Sequence, residues 1–155
     1  MMIFRFAFDR VAARLIALGN AREPDFLIGR ADRPYLRRWW LIPRNRVCNV
    51  YLHQILRDDD DRALHDHPWA NFSIVLDGGY WDVTADRGGH LRRQWLGAGA
   101  VKPRLPWAAH RIEVGFGQAW TLFFTGPRVR QWGFWCERGW IAWKEFTAEA
   151  DSGGG

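Results

Sequence analysis

Apolar residues recur every three or four positions near the start of the chain, at Phe4, Phe8, Val11, Ala12, Leu15 and Leu18. This spacing places them on one face of an α-helix, so the sequence predicts a helix over residues 4–18. Gly19 and Asn20 are expected to end it, because helices commonly close on a residue in the left-handed conformation. Segment 21–34 is broken by prolines and glycine and is expected to be irregular.

The remainder of the chain consists of short apolar runs separated by glycine and proline. These runs predict strands at residues 37–42, 46–57, 71–77, 80–84, 91–96, 100–102, 110–114, 119–125, 131–136 and 140–146. Gly78 and Gly79 are expected to form a tight turn between two of them. Many short strands and one helix indicate an all-β protein, either an antiparallel barrel or a jelly roll. No linker or repeat is visible, so we expect a single domain over residues 1–147 and a disordered tail over 148–155.

The strand predicted at 46–57 has two unlike faces, since side chains alternate along an extended backbone. Val50 and Leu52 belong to the more apolar face, which is expected to be the core side, whereas Tyr51 and His53 lie on the other face. His53 therefore has two interpretations. It is either a hydrogen-bonded histidine on a polar face or a residue that lines a binding cavity.

Composition narrows the function classes. The chain has 155 residues, of which 48% are hydrophobic, and its 11 tryptophans and 10 phenylalanines fit either an aromatic core or an aromatic-lined pocket. No apolar run is long enough for a membrane span, and arginines interrupt any signal peptide, so a cytoplasmic protein is expected. The net charge of +5 is spread along the chain, which does not favour a nucleic-acid partner.

Three histidines stand in positions that suit a metal site. His65 and His67 are separated by one residue, so on an extended backbone both rings point to the same side. His110 heads another predicted strand. If the two strands are neighbours, three imidazoles converge on one ion, and Asp61 or Arg62 is a candidate to hold the histidine segment.

These histidines lie in segments that resemble the two motifs of the cupin superfamily. The first motif matches His65, His67 and Gly78, with Asn71 where the family has glutamate; the second is similar to residues 99–110, although its spacing is one residue short. The resemblance implies a double-stranded β-helix, which is a jelly-roll-like barrel, with a divalent metal held by the three histidines. With the neutral Asn71 in place of glutamate, the ligand set resembles the three-histidine iron centres of the cysteine dioxygenase group. This resemblance implies Fe(II), with Zn, Ni or Cu as alternatives.

The first functional hypothesis is an Fe(II)-dependent dioxygenase of a small organic, and in particular anionic, substrate. No residue is assigned a catalytic role. Arg57, Arg128 and Arg130 are candidates for pairing with a substrate carboxylate, or are exposed charges at strand ends.

Two other hypotheses stay open. One is a non-redox metal-dependent isomerase or lyase, for which His53 or Tyr51 would be the general base. The other is a cupin that binds a small ligand without turnover. The sequence gives no oligomeric state, but cupins often pair through sheet edges, and strand 37–42 is a candidate for such a homodimer contact.

Overall fold

The protein is described by a computed structural model that covers residues 2–30, 32–59, 63–115 and 117–152. Helix α1 spans Met2–Asn20, as predicted. Ala12 is buried in a cluster with Leu52 and Trp120 of the sheet. Phe4 is 83% exposed, so only the middle of the predicted apolar face packs against the sheet. Asp61 and Arg62, the proposed supports of the histidine segment, lie outside the described residues.

The end of α1 differs from the prediction. Gly19 is absent from the residues with a positive φ, so it does not serve as a left-handed cap. A Cβ atom at Gly19 would instead lie 2.8 Å from the Trp120 ring and 3.0 Å from Leu52. The glycine is therefore needed for the close approach of the helix to the sheet, rather than for its own backbone conformation.

The strands form two antiparallel sheets. Those of the described residues are β1 Phe26–Arg30, β2 Arg33–Trp40, β3 Asn49–Ile55, β4 Leu64–His65, β5 Asn71–Ala85, β6 Leu91–Gly97, β7 Val101–Arg104, β8 Arg111–Glu113, β9 Ala119–Thr125, β10 Gly133–Cys136 and β11 Gly139–Ala142. The larger sheet has the order β1-β2-β3-β9-β5-β6, with β7 and β8 also paired to β5. The smaller sheet has the order β11-β10-β4. The all-β prediction is thus confirmed.

Strand β5 is the longest and differs most from its prediction. Residues 78 and 79 do not form a turn, because β5 continues through them and pairs with β6, β7, β8 and β9. Gly78 has φ of 69°, and the register with β9 shifts between Val75 and Asp77. The extra residue of this β-bulge is Leu76, two positions before Gly78, and the strand passes from its pairing with β7 and β9 to its pairing with β6 and β8 just after it.

Two further segments were predicted wrongly. Strand β1 occupies residues that were expected to be irregular. It pairs with β2, and a second register shift, between Ile28 and Gly29, accommodates the glycine. Strand β2 is therefore interior, and its edge is not free for the predicted dimer. The strand predicted at 140–146 is present as β11 up to Ala142, and helix α2 then spans Trp143–Ser152. Residues 143–146 were predicted to continue the strand, and residues 148–152 fall in the tail that was predicted to be disordered. Its aromatic residues pack on β10, with Phe146 stacked on Phe134 at 4.1 Å.

Both faces of β3 are buried. Leu52 packs beneath α1, whereas His53 and Ile55 face the interior of the barrel. The more apolar face of this strand is thus covered by the helix, and the mixed face that contains His53 surrounds an internal cavity. No helix in the described part of the chain has both the length and the apolar character required to cross a membrane.

Candidate metal centre and its cavity

Three histidine rings converge at one end of the internal cavity. The ligand atoms offered by His65, His67 and His110 all lie within 4.8 Å of one another. Nε2 of His67 is 3.0 Å from Nε2 of His110, and the His65 ring centroid is 5.2 Å and 4.9 Å from those of the other two. The convergence expected from the sequence is therefore present in the structure.

Backbone pairing brings these rings together. The amide of His65 donates to the carbonyl of His110 at 2.8 Å, and the amide of His110 donates back at 2.9 Å. The amide of His67 donates to the carbonyl of Pro106 at 3.0 Å, which fixes the second ring of the pair. Two stretches that are 43 residues apart in sequence are thus joined at the cluster itself.

Asp66, between the two histidines, points to the opposite side and is fully buried. Its carboxylate accepts hydrogen bonds from Arg130 at 2.7 Å, from the amide of Gly133 at 2.9 Å and from Trp140 Nε1 at 2.9 Å. The side chains of this segment alternate as predicted, and the Asp66 carboxylate holds the segment in place on the face opposite the two histidines. Asp66 ties the histidine pair to the smaller sheet.

Asp82 of β5 supports His110 on the side away from the cluster. Nδ1 of His110 donates to Asp82 Oδ1 at 2.8 Å, which leaves the Nε2 lone pair directed at His67. Arg104 also donates to this carboxylate at 2.8 Å, and Lys102 Nζ lies 3.2 Å away. Although burial opposes it, the hydrogen bond from His110 together with the charges of Arg104 and Lys102 holds the pKa of Asp82 below its usual value.

His65 has an acidic neighbour of its own. Nδ1 of His65 lies 3.1 Å from Oδ2 of Asp59, close enough for an electrostatic contact although the two atoms are not aligned as a hydrogen bond. This contact places Nδ1 toward the carboxylate and leaves Nε2 available to an ion. Carboxylate neighbours that orient ligating histidines are a common feature of metal sites.

The rings of His67 and His110 are neutral at physiological pH, because the pKa of each is lowered. Burial, with a smaller contribution from Arg104, lowers the pKa of His110 to about 3. Burial also lowers the pKa of His67 well below its usual value, and the neighbouring His65 and His110 lower it further. Neutral imidazole is the form that binds metal ions, so no proton has to be removed first.

The donor set fits a divalent transition-metal ion. Imidazole nitrogens bind such ions at about 2.0–2.1 Å, so two bonds to one ion can join nitrogens up to about 4.2 Å apart. The two Nε2 atoms at 3.0 Å satisfy this limit. Three histidines on one side also leave coordination positions open on the cavity side, which is the arrangement of a reactive site rather than a closed structural one.

The cavity next to the cluster has a volume of about 480 Å³. Most of its wall is apolar and aromatic, formed by Phe26, Ile28, Tyr35, Leu36, Ile55, Trp69, Phe123, Trp132, Phe134 and Trp143. Asn71, which stands where the cupin motif has glutamate, lines the same wall. The buried Nδ2 of Asn71 and Nε1 of Trp69 have no hydrogen-bond partner among the described residues, so two donors lie unsatisfied beside the site.

His53 lines this cavity but is not part of the metal cluster. Its Nε2 accepts a hydrogen bond from Nε of Arg38 at 2.8 Å, and the Arg38 guanidinium lies 4.8 Å above the Tyr51 ring. Burial lowers the pKa of His53 well below its usual value, and the charge of Arg38 adds to this effect. Both sequence interpretations of His53 thus apply together, because it is hydrogen-bonded and also faces the cavity.

The arginines proposed as substrate contacts lie elsewhere. Arg57 lines a second, more polar pocket with Arg33 and Asp58, and donates to the carbonyl of Arg33 at 3.1 Å. Arg130 pairs with Asp66, and Nε of Arg128 contacts the carbonyl of Arg130 at 3.4 Å. None of the three is among the residues that surround the histidine cavity.

Sequence reasoning missed the charged groups that complete the site. Asp82 lies between Trp81 and Val83, and a carboxylate inside an apolar strand was a signal that it is paired. Arg104 gave a weaker signal, as it follows Pro103 in the second motif. Arg38 gave none, because its position on the cavity wall depends on the pairing of β2 with β3.

Neither a protein-family model nor a curated protein matches the sequence. Solved structures match in fold: that of Fe(II) HppE is 20% identical over 68% of this chain and 57% of its own, with a TM-score of 0.55. The hydroxypropylphosphonic acid epoxidase from S. wedmorenis is 20% identical over 67% of this chain and 57% of its own, with a TM-score of 0.51. The chain thus spans little more than half the length of these proteins.

A third match is a protein from Ralstonia eutropha JMP134 that carries the provisional name mannose-6-phosphate isomerase. It is 13% identical over 66% of this chain and 92% of its own, with a TM-score of 0.51. At these identities the likeness concerns the fold. The chain has the double-stranded β-helix of cupins, as the motifs implied, and its three histidines form a cluster suited to a divalent metal ion.

Proposed function

We propose that the protein is a metal-dependent oxidoreductase that uses Fe(II) and dioxygen to oxidise a small organic molecule in the histidine cavity. The observation that carries the proposal is the cluster of His65, His67 and His110, open to an apolar cavity whose wall also contains the neutral Asn71. Imidazole suits iron, and the fold is shared with Fe(II) HppE. Bound there, Fe(II) would supply open coordination positions and one-electron redox chemistry.

The chain's own residues would hold the metal ion, orient its histidine ligands and shield the site from water. The three histidines would hold the ion, while Asp82 and Asp59 fix the direction of two of the rings. The aromatic wall would exclude water from reactive species, which is the usual benefit of a closed apolar site. The resemblance to the cysteine dioxygenase group is confined to the ligand set and stays a prediction.

The arrangement of His53 disfavours the isomerase or lyase alternative. A general base needs a free lone pair within reach of the substrate. The Nε2 lone pair of His53 accepts the hydrogen bond from Arg38, and Tyr51 lies beneath the same guanidinium, outside the cavity lining. The two residues that the sequence offered as bases are thus both engaged with Arg38.

Metal analysis and oxygen consumption test the proposal. Protein purified without a histidine tag and loaded anaerobically with Fe(II) should hold about one ion per chain. It should also consume dioxygen with at least one member of a panel of small organic acids. The His67→Ala variant should lose both properties, whereas the control His90→Ala should keep them, since the His90 side chain is 80% exposed in a turn.

Three results would count against it. Absence of metal uptake would remove the metal site, and turnover that persists with Zn(II) without oxygen would favour the non-redox enzyme. A ligand that binds and is recovered unchanged throughout the panel would favour the binding protein.

A further inference from the structure

Arg38 occupies an unusual position on the cavity wall. It belongs to β2, is paired in register with His53 of β3, and contributes to the lining of the histidine cavity. Its Nε donates to His53, and its guanidinium rests on the Tyr51 ring at 4.8 Å. These two contacts fix the plane of the guanidinium, and the described residues engage one of its five N–H donors.

Arg38 has no carboxylate partner among the described residues. The other cation of the cavity wall, Arg104, is neutralised by Asp82 at 2.8 Å. The carboxylate that contributes to the lining, Asp59, lies against His65. Tyr35 does not supply a charge either, because burial raises its pKa well above the ordinary value. The guanidinium is therefore a cation in an apolar cavity without a counter-charge from the described protein.

An anion in the cavity would supply the counter-charge that the described residues do not. The Arg38 side chain is partly buried, and the loss of water around its charge lowers the pKa of Arg38 to about 10. Even so, the group is protonated at neutral pH. The planar guanidinium presents parallel N–H bonds that match the two oxygens of a carboxylate or the edge of a phosphate.

Arg38 is also close to the metal cluster. His53 stacks on Phe123 with ring centroids 5.0 Å apart, and Phe123 lies 6.4 Å from His67. Two ring contacts thus separate the residue that holds Arg38 from a metal ligand. Arg38 and the three histidines thus line one cavity.

We propose that the substrate carries an oxyanion group, a carboxylate, phosphate or phosphonate, that binds to Arg38 while the reacting part of the molecule lies at the histidine cluster. The inference rests on the proposed function, because it names the substrate class for the same cavity. It assigns anchoring to Arg38 and removes that role from Arg57, Arg128 and Arg130.

Anion binding to metal-free protein tests this assignment without catalysis. Calorimetric titration with acetate, inorganic phosphate and methylphosphonate should give saturable binding of at least one anion in wild type, and the preferred anion separates planar from tetrahedral head groups. Arg38→Met should weaken that binding about ten- to hundred-fold, since it removes charge-assisted hydrogen bonds. Arg38→Lys should weaken it less, because the charge remains and the fork is lost.

The matched control is Arg37→Met. Arg37 is the next residue on β2, is exposed on the outer face and donates to Gln54. This variant should bind the anion with wild-type affinity. Equal affinity in Arg38→Met and wild type, or no saturable binding in wild type, would overturn the inference.

A measurement on wild-type protein covers the case in which Arg38→Met does not fold. Phenylglyoxal labelling followed by peptide mass spectrometry should show that the bound anion slows modification of Arg38 but not of Arg37. Equal rates with and without anion would overturn the inference. Co(II) titration of Arg38→Lys and of wild type separates the two proposals. Normal metal uptake with weakened anion binding in Arg38→Lys supports the role of Arg38. Failed metal uptake in wild type would count against the proposed function instead.

Discussion

Asp82 orients the ring of His110, although it lies outside the sequence motif that contains this histidine. Asp82 is 1% exposed, and its carboxylate accepts a hydrogen bond from His110 Nδ1 and pairs with Arg104. Asp82→Asn should therefore leave Arg104 as a buried charge without its counter-charge. We expect a loss of about 3–5 kcal/mol in the free energy of unfolding and a metal affinity about 10- to 100-fold lower.

Urea denaturation and Co(II) titration measure these two effects. The control is Asp86→Asn, which alters a carboxylate paired with Arg92 in a more open turn, where an ion pair contributes about 0–1 kcal/mol. Similar losses in both variants would contradict a specific role for Asp82.

Asn71 tests the resemblance at a single position. Asn71→Glu would restore the carboxylate of the cupin motif beside the three histidines and add a negatively charged oxygen to the donor set. Because hard oxygen ligands favour Mn(II), we expect the variant to bind Mn(II) more tightly relative to Fe(II) than wild type does. Competition titrations followed by elemental analysis give the ratio, and an unchanged ratio would show that the residue at position 71 does not influence metal choice.

His65 and His67 could be predicted because their spacing places both on one side of an extended segment, and His110 because it lies in the segment that resembles the second cupin motif. Arg38 and Asp82 could not, as each reaches the site through the pairing of its strand with others far along the chain. Local pattern determines which way a side chain points. It does not determine which strand pairs with which, and the charged partners of the histidines depend on that pairing.

At the scale of elements, glycine was the main source of error. Gly78 and Gly79 suggested a hairpin turn, but the chain uses Gly78 to bend one long strand. A Cβ atom at Gly78 would lie 2.1 Å from the carbonyl oxygen of Gln118, so β9 approaches too closely for any side chain. A close approach between backbones and a tight turn both call for glycine, which is why the residue type did not distinguish them.

Gly78→Ala should accordingly lower the free energy of unfolding by more than the strain of a left-handed backbone alone would. Gly89→Ala is the matched control, because Gly89 also has a positive φ, of 80°, but nothing lies within 4 Å of its added Cβ. The control should lose about 1–2 kcal/mol in the free energy of unfolding, the usual cost of placing Cβ in that conformation. Gly78→Ala should lose clearly more, since the β9 backbone must also move. Equal losses in urea denaturation would show that the close approach to β9 is unimportant.

At the scale of the whole molecule, the barrel is closed by layers that the sequence predicted only in part. Helix α1 covers the outer face of β3 and β9, and the smaller sheet with α2 forms one wall of the cavity. Trp132 and Trp143, stacked at 5.7 Å, bring that wall and the helix together. The all-β class followed from strand and turn pattern, whereas α2 was missed because apolar aromatic residues suit a strand equally well.

Metal should stabilise this assembly as a unit, since the cluster joins β4 to the segment before β8 through His65 and His110. At a free metal concentration about 100 times the dissociation constant, binding to the folded state alone contributes about 2.7 kcal/mol. For a chain of this size that corresponds to a Tm increase of about 5–10 °C. Differential scanning calorimetry with Zn(II), and then with excess chelator, measures the gain and its reversal. His67→Ala should show no gain and His90→Ala the full gain; an equal gain in both would place the stabilising ion outside the three-histidine cluster.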